Sequence, residues 1–486
     1  MNKPIRVVSV FCLVLFLALL VNATYLMYVR ADSLADDPRN RRIITATFSR
    51  ERGAILVGDE AIARSVPSDD QYKFQRTYSQ PFKYAPITGY FSWFSQTGVE
   101  SSQNAVLAGD DSRLFVTRLV DMLSNSDPKG GNVQLTVDAA AQDAAWEGLE
   151  ALPGDAQGAV VALEPTTGRV LAMASTPTFD PNKLASHDFG EVADLSKELN
   201  ADPREPLVNR AIATTLPPGS TFKLVTAAAA IESGNYDADS MVPGGYRFQL
   251  PQSTTSVPNY DGSNCGGRRI TMTQALQVSC NVTFLSLANE LGVEAMADQA
   301  EKFGFNDTSL EDLGGQAESL YPRDLDPPQT ALSGIGQSSV TATPLQMAMV
   351  AAAIANDGDV MRPYVVDEVR APNLSVLDRT DPQSISKAIS STTADELTSM
   401  MVATVDSGTA TPAQIPGVQV AGKTGTAQST ADRPPYAWFV SFAPADDPQV
   451  AVAVLVQSSD TSRSEIGGGR LGGPIAKAIM EAVINQ

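Results

Sequence analysis

The sequence predicts an α+β protein: a helix-rich domain built on one sheet, preceded by a small β-rich module and one membrane-spanning helix. Three observations predict it. A charge-free apolar run opens the chain, strand-like segments flank a long helical middle, and short apolar and aromatic runs fill the stretch before that domain. The 486 residues are enough for two or three cores, and 43% hydrophobic against 19% charged residues is the balance of a folded chain. A net charge of −20 argues against a nucleic-acid partner, whose phosphates such a surface repels.

From Val7 to Val29 no residue is charged, which gives 23 mostly apolar positions. As a helix they span about 35 Å, enough to cross a bilayer. Lys3 and Arg6 precede the run, and the positive-inside rule keeps them in the cytoplasm. A cleaved signal peptide is the alternative, but the run is long for one and no A-x-A site follows. The expected location is therefore the cytoplasmic membrane, crossed once, with the rest of the chain outside. That part carries 32 basic against 55 acidic residues. Ala31 to Arg42 (ADSLADDPRNRR) reads as a linker. Tyr72, Phe74, Tyr78, Phe82, Tyr84, Tyr90, Phe91, Trp93 and Phe94 follow, and we expect the core of a small module there rather than a binding surface.

Near Val133 the texture changes. VQLTVD alternates as a strand, and Ala139 to Leu152 is an alanine-rich helix ended by Pro153-Gly154. GAVVAL, the turn EPTTG and RVLAMA form a predicted hairpin over Gly158 to Ala174. Residues 220–355 are mostly helical in pattern. Strands return in VQVAGKTGT, AWFVSF and VAVAVLV, and a helix from about Pro474 to Asn485 closes the domain, so its sheet draws on both ends. Cys12 lies in the anchor, while Cys265 and Cys280 lie beyond it. Export permits a bridge between those two, worth about 3 kcal/mol for a loop of this size, with two buried thiols as the alternative.

The single histidine, His187, limits the chemistry. A Ser-His-Asp triad would have to use it, and a His-rich metal site is impossible. It sits in a polar run, LASHDFGE, and reads as a surface residue without partners. A nucleophile must then find another base, and lysine can serve. In PPGSTFK, Pro-Pro-Gly stops the preceding segment and Ser220 opens a helix, so Lys223 lies beside it, nearly one turn on. The helix N-terminus favours an alkoxide at Ser220, and a desolvated lysine near other cations loses its proton near neutral pH. Alone, S-x-x-K is a weak signal, because serine is a common N-cap and lysine fills many helices. Ser279-Cys280-Asn281 adds S-x-N between helical stretches, and Lys423-Thr424-Gly425-Thr426 adds K-T-G-T on a predicted strand.

These three elements, in this order and about 60 and 145 residues apart, resemble the pattern of penicillin-binding proteins and serine β-lactamases. GAVVALEPTTGRVLAMAS, NRAIATTLPPGSTFKLVTAAAAIE, GIGQSSVTATPLQMAMVAAAIANDG and VAGKTGTAQ are similar to class B penicillin-binding proteins over roughly residues 155–485. RGAIL at Arg52 to Leu56 and GYFSWFSQTGVE at Gly89 to Glu100 resemble that class's N-terminal module. Tyr436 departs from the pattern, since many relatives carry histidine there.

The resemblance implies a transpeptidase domain of antiparallel sheet with helices, with residues 1–30 as tail and anchor, 31–150 as a non-catalytic module and 151–486 as the catalytic domain. It also implies roles. Ser220 would attack between two D-alanines of a peptidoglycan stem peptide, and Lys223 would take its proton. Ser279 would relay a proton to the leaving D-alanine, with Asn281 holding the substrate amide and Lys223. Lys423 would supply positive potential, Thr424 and Thr426 would bind the terminal carboxylate beside Gly425, and backbone N–H groups of Ser220 and Thr426 would form the oxyanion hole. No metal or organic cofactor is implied. β-Lactams would be inhibitors, and a membrane glycosyltransferase a partner.

Rival readings are weaker. GVQVAGKT at Gly417 to Thr424 matches the P-loop pattern by letter, but strand formers precede its lysine and AQSTADRPP cannot begin a helix. Gly467, Gly469 and Gly472 match G-x-G-x-x-G without the acidic residue about 20 positions on. A β-lactamase would be smaller. A D,D-carboxypeptidase would pass the acyl group to water, and a β-lactam sensor or divisome scaffold would not turn over at all.

Overall fold

A computed structural model describes residues 3–30, 48–124, 129–429, 433–463 and 465–485, so the expected linker lies outside the described residues. The chain opens on a helix, Lys3–Thr24, that widens into a last turn at Tyr25–Val29. Its 27 residues, whose most apolar stretch is unburied, are long and apolar enough to cross a membrane.

The central element is a five-stranded antiparallel sheet in the order Ala421–Ala427, Tyr436–Ala443, Val450–Ser458, Gln157–Leu163, Val170–Thr176. Both ends of the domain meet in its middle, where Val454 stands opposite Val160. Its strands are buried along nearly their whole length because helices cover both faces. Ala139–Glu150 and Gly468–Ile484 pack on one face, and Pro344–Ala355 on the other. The closing helix starts at Gly468, earlier than the apolar pattern from Pro474 suggests, so that Pro474 lies inside it and removes one hydrogen bond of its ladder.

The second sheet has six strands in the order Val376–Arg379, Val366–Arg370, Asn132–Leu135, Ile55–Val57, Glu60–Pro67, Phe74–Tyr78. Two of these come from far down the chain, and Val133 pairs with Val369 across that join. The expected aromatic core forms in part. Tyr72, Tyr78, Tyr84, Tyr90 and Phe91 are buried, whereas Phe82 is 47% and Phe94 56% exposed. His187 is not the partnerless surface residue its neighbours suggest. It pairs with Asp70 and lies 4.9 Å from the Tyr72 ring and 5.8 Å from that of Phe48. Its partners are over a hundred residues upstream, where local polarity gives no hint of them.

RGAIL has a physical role in this module. Arg52 Nε donates to Glu100 at 2.7 Å and Arg76 Nε at 2.6 Å, with all three side chains buried. Arg52 also lies 4.4 Å from the Phe91 ring centre, and Tyr78 donates to Glu100 at 3.1 Å. Burial pushes the Glu100 carboxyl up, but Arg76 and Arg52 outweigh it and hold the group below the ordinary range. Because the folded value is the lower one, this stabilisation is full above the unfolded carboxylate pKa and is lost as pH falls through the folded pKa. Glu100→Gln should leave two buried guanidinium groups without a counter-charge and lower unfolding stability by about 3–5 kcal/mol. Urea unfolding at neutral pH checks this, and an unchanged midpoint would contradict it.

Candidate active site

Pro217-Pro218-Gly219 ends one segment and turns the chain into a tight helix, Gly219–Phe222, that runs on as Lys223–Glu232. Gly219 has φ +56°, a conformation side chains disfavour, and its N–H donates to the Gly336 carbonyl at 3.0 Å. Ser220 is half-buried on a cleft, while the helix behind it is buried at every position but the last. This turn lies flat on the edge strand Ala421–Ala427. A Cβ on Gly425 would come within 3.0 Å of the Pro218 carbonyl oxygen and of Thr221, so the small residue of K-T-G-T is what permits the approach.

Ser279 follows the helix Met272–Gln277, with its N–H on the Leu276 carbonyl at 3.1 Å and the Cys280 N–H on that of Ala275 at 2.8 Å. This is a Schellman ending, and Ser279, at φ +58°, takes the left-handed position usually given to glycine. A hydroxyl in so strained a place points to function. The next residue is bridged to Cys265, with Cα atoms 5.7 Å apart. Asn259 then accepts from the Asn281 and Val282 N–H groups at 3.0 and 3.2 Å, capping the helical segment Asn281–Lys302 from another part of the chain.

Lys223 Nζ donates to the Ser279 carbonyl at 2.7 Å, to Asn281 Oδ1 at 2.8 Å and to Ser279 Oγ at 3.2 Å. Asn281 is fixed in turn by donating to the Pro258 carbonyl at 3.0 Å. Lys423 Nζ reaches the same Ser279 Oγ at 2.9 Å and the Thr424 carbonyl at 3.1 Å. Both lysines are fully buried. Burial, and after it the charge of Lys423, pushes the Lys223 amine well below the ordinary lysine range. Burial alone brings Lys423 down to about 7.

Ser220, Ser279, Asn281, Thr424 and Thr426 therefore line one cleft of about 750 Å³, with Lys223 and Lys423 behind Ser279. Lys423-Thr424 lies inside a strand, which removes the P-loop reading. Two glycines of the match at Gly467 to Gly472 have a packing cause: a Cβ on Gly469 would sit 2.5 Å from the Thr409 carbonyl oxygen, and one on Gly472 2.6 Å from the Phe439 Cβ. That helix start borders the cleft, with Arg470 on its rim. Tyr436 pairs with Ala427 at the end of the edge strand. Sequence reasoning missed Asn259, and also Thr409, whose hydroxyl is 2.7 Å from that of Thr424. Both act on residues distant in sequence, and neither stands in a motif.

A cleft serine at a helix start, a depressed lysine one turn on and a lysine-bearing edge strand define a serine acyltransferase. The comparisons specify which. The penicillin binding protein transpeptidase domain matches residues 158–481, and the penicillin binding protein A dimerisation domain matches residues 52–133. The chain is 43% identical to the peptidoglycan D,D-transpeptidase PbpA of Mycolicibacterium smegmatis, covering all of both sequences. Penicillin-binding protein A from M. tuberculosis, in its ceftriaxone acyl-enzyme complex, superposes with TM-score 0.87 at 39% identity, over 90% of this chain and 100% of that one. Its penicillin G acyl-enzyme complex gives TM-score 0.84 at 40% identity, with the same coverage. The chain belongs to the penicillin-binding protein transpeptidase family.

Glycine takes the left-handed conformation at no cost, so Ser279→Gly isolates the hydroxyl from the backbone. The variant should melt no earlier than wild type, yet react with a β-lactam slower by about 10²-fold or more. Reaction at the wild-type rate would remove Ser279 from the chemistry.

Proposed function

We propose that this chain is a serine D,D-transpeptidase that cross-links peptidoglycan stem peptides outside the cytoplasmic membrane and is acylated by β-lactams. The observation that carries the reading is Lys223. It is buried, depressed by burial and by Lys423, one turn after a cleft serine, and held by Ser279 and Asn281. Ser220 attacks the carbonyl between the two D-alanines, and neutral Lys223 accepts its proton. Oxyanion charge falls on the backbone N–H groups of Ser220 and Thr426. Ser279, within reach of both lysines, passes a proton to the leaving D-alanine, while Asn281 holds the substrate amide. Thr424 and Thr426 take the terminal carboxylate in the positive potential of Lys423, and Gly425 keeps the strand close to the nucleophile. An amine from a second stem peptide then resolves the acyl-enzyme.

Residues 31–150 act as a non-catalytic module, and residues 151–486 carry the reaction. The anchor holds the domain near newly made strands, where acceptor amines are concentrated and a membrane glycosyltransferase is the natural partner.

Benzylpenicillin should acylate Ser220 once per chain, and tryptic mapping that placed the adduct elsewhere would overturn the assignment. Lys223→Arg keeps the charge but cannot act as base, so acylation should fall by about 10²-fold or more. In wild type the acylation rate should rise with pH as Lys223 loses its proton, with its half-point well below the 10.5 of an ordinary lysine. Lys423→Met removes a neighbouring positive charge, so the Lys223 pKa should rise and that limb should move to higher pH. A limb unmoved in Lys423→Met would separate the two lysines.

A further inference from the structure

A second cavity, of about 420 Å³, lies at the opposite edge of the catalytic sheet and takes no part in the chemistry above. Both parts of the chain wall it. Phe82 comes from the module, Trp146 and Glu150 from the helix Ala139–Glu150, and Asp155, Thr178 and Arg204 from the segments after it. Phe82 is 47% exposed, so its ring is open to an occupant of this cavity. Arg204 is held by Asp202 at 2.9 Å and faces Asp155 at 3.8 Å, and the Asp155 carboxylate is 85% exposed. Aromatic faces beside an open carboxylate and a guanidinium suit a sugar. Its C–H faces stack on rings, while its hydroxyl and acetamido groups pair with the polar rim. A wholly apolar occupant would instead desolvate Arg204 and Asp155 without replacing their water.

The sheet register fixes where this cavity opens. Thr426 pairs with Ala437, Ala437 with Val456, Val456 with Gly158 and Gly158 with Thr176. Thr426 lines the catalytic cleft and Thr176 the second cavity, so both border one cross-strand row of the sheet. Four strand spacings separate them, about 19 Å. An extended pentapeptide spans about 17 Å. We propose that this cavity binds the glycan of the donor strand, a β-linked oligosaccharide of N-acetylated amino sugars, while the attached stem peptide reaches Ser220. The choice of sugar rests on the transpeptidase reading.

The test uses the full chain in detergent micelles, with chitotetraose, the N-acetylated tetramer, as the probe in a calorimetric titration. Wild type should bind it. Phe82→Ala and Arg204→Ala should each weaken binding about tenfold, the loss of one stacking or charged contact, and leave fluorescent-penicillin labelling of Ser220 within about twofold. Labelling also reports the fold, so if one variant loses it the other decides. Absence of binding by wild type, or equal binding by both labelled variants, overturns the glycan site. Intact labelling without sugar binding would sink this site alone, whereas sugar binding without Ser220 labelling would sink the transpeptidase reading instead.

Discussion

Lys223 and Lys423 both donate to the hydroxyl of Ser279 from fully buried positions, and two ammonium groups that close cannot both stay charged cheaply out of water. Much of the catalytic domain serves to hold them there. The buried helix Lys223–Glu232 seals one lysine from below, and the strand Ala421–Ala427 carries the other. Ser279 takes a left-handed conformation that places its oxygen between them, and the bridge at Cys280 and the cap from Asn259 fix that corner. The cost of burial is what lowers the Lys223 pKa. In the proposed mechanism that desolvation does the work that a histidine–carboxylate pair does in other serine enzymes.

Much of this was legible in the sequence. The hairpin and the three late strands follow from apolar periodicity, whereas the stretch 220–355, helical in pattern, also holds short strands between Met241 and Thr271. The order S-x-x-K, S-x-N, K-T-G-T is legible because each triplet is local. What stayed hidden is contact between distant segments. The strands Val366–Arg370 and Val376–Arg379 complete the module's sheet, and nothing in their own pattern names that partner. The partners of His187 stay hidden for the same reason, since Asp70 is far away in the sequence. Asn259 looks like a turn residue until its helix is in place.

The interleaving also ties the module to the catalytic domain. The six-stranded sheet borrows two strands from within the catalytic half, and the helix Ala139–Glu150 packs on the five-stranded sheet. Within the module, the buried Arg52–Glu100–Arg76 cluster joins three separate segments of the chain.

Transfer of the acyl group to an amine rather than to water is the central claim. The most direct test incubates the protein with a thioester donor and millimolar D-amino-acid acceptor, and quantifies aminolysis and hydrolysis products by mass spectrometry. Aminolysis should be the dominant outcome and should vanish in Ser220→Ala. Hydrolysed donor as the main product at saturating acceptor would contradict it and identify the chain as a carboxypeptidase.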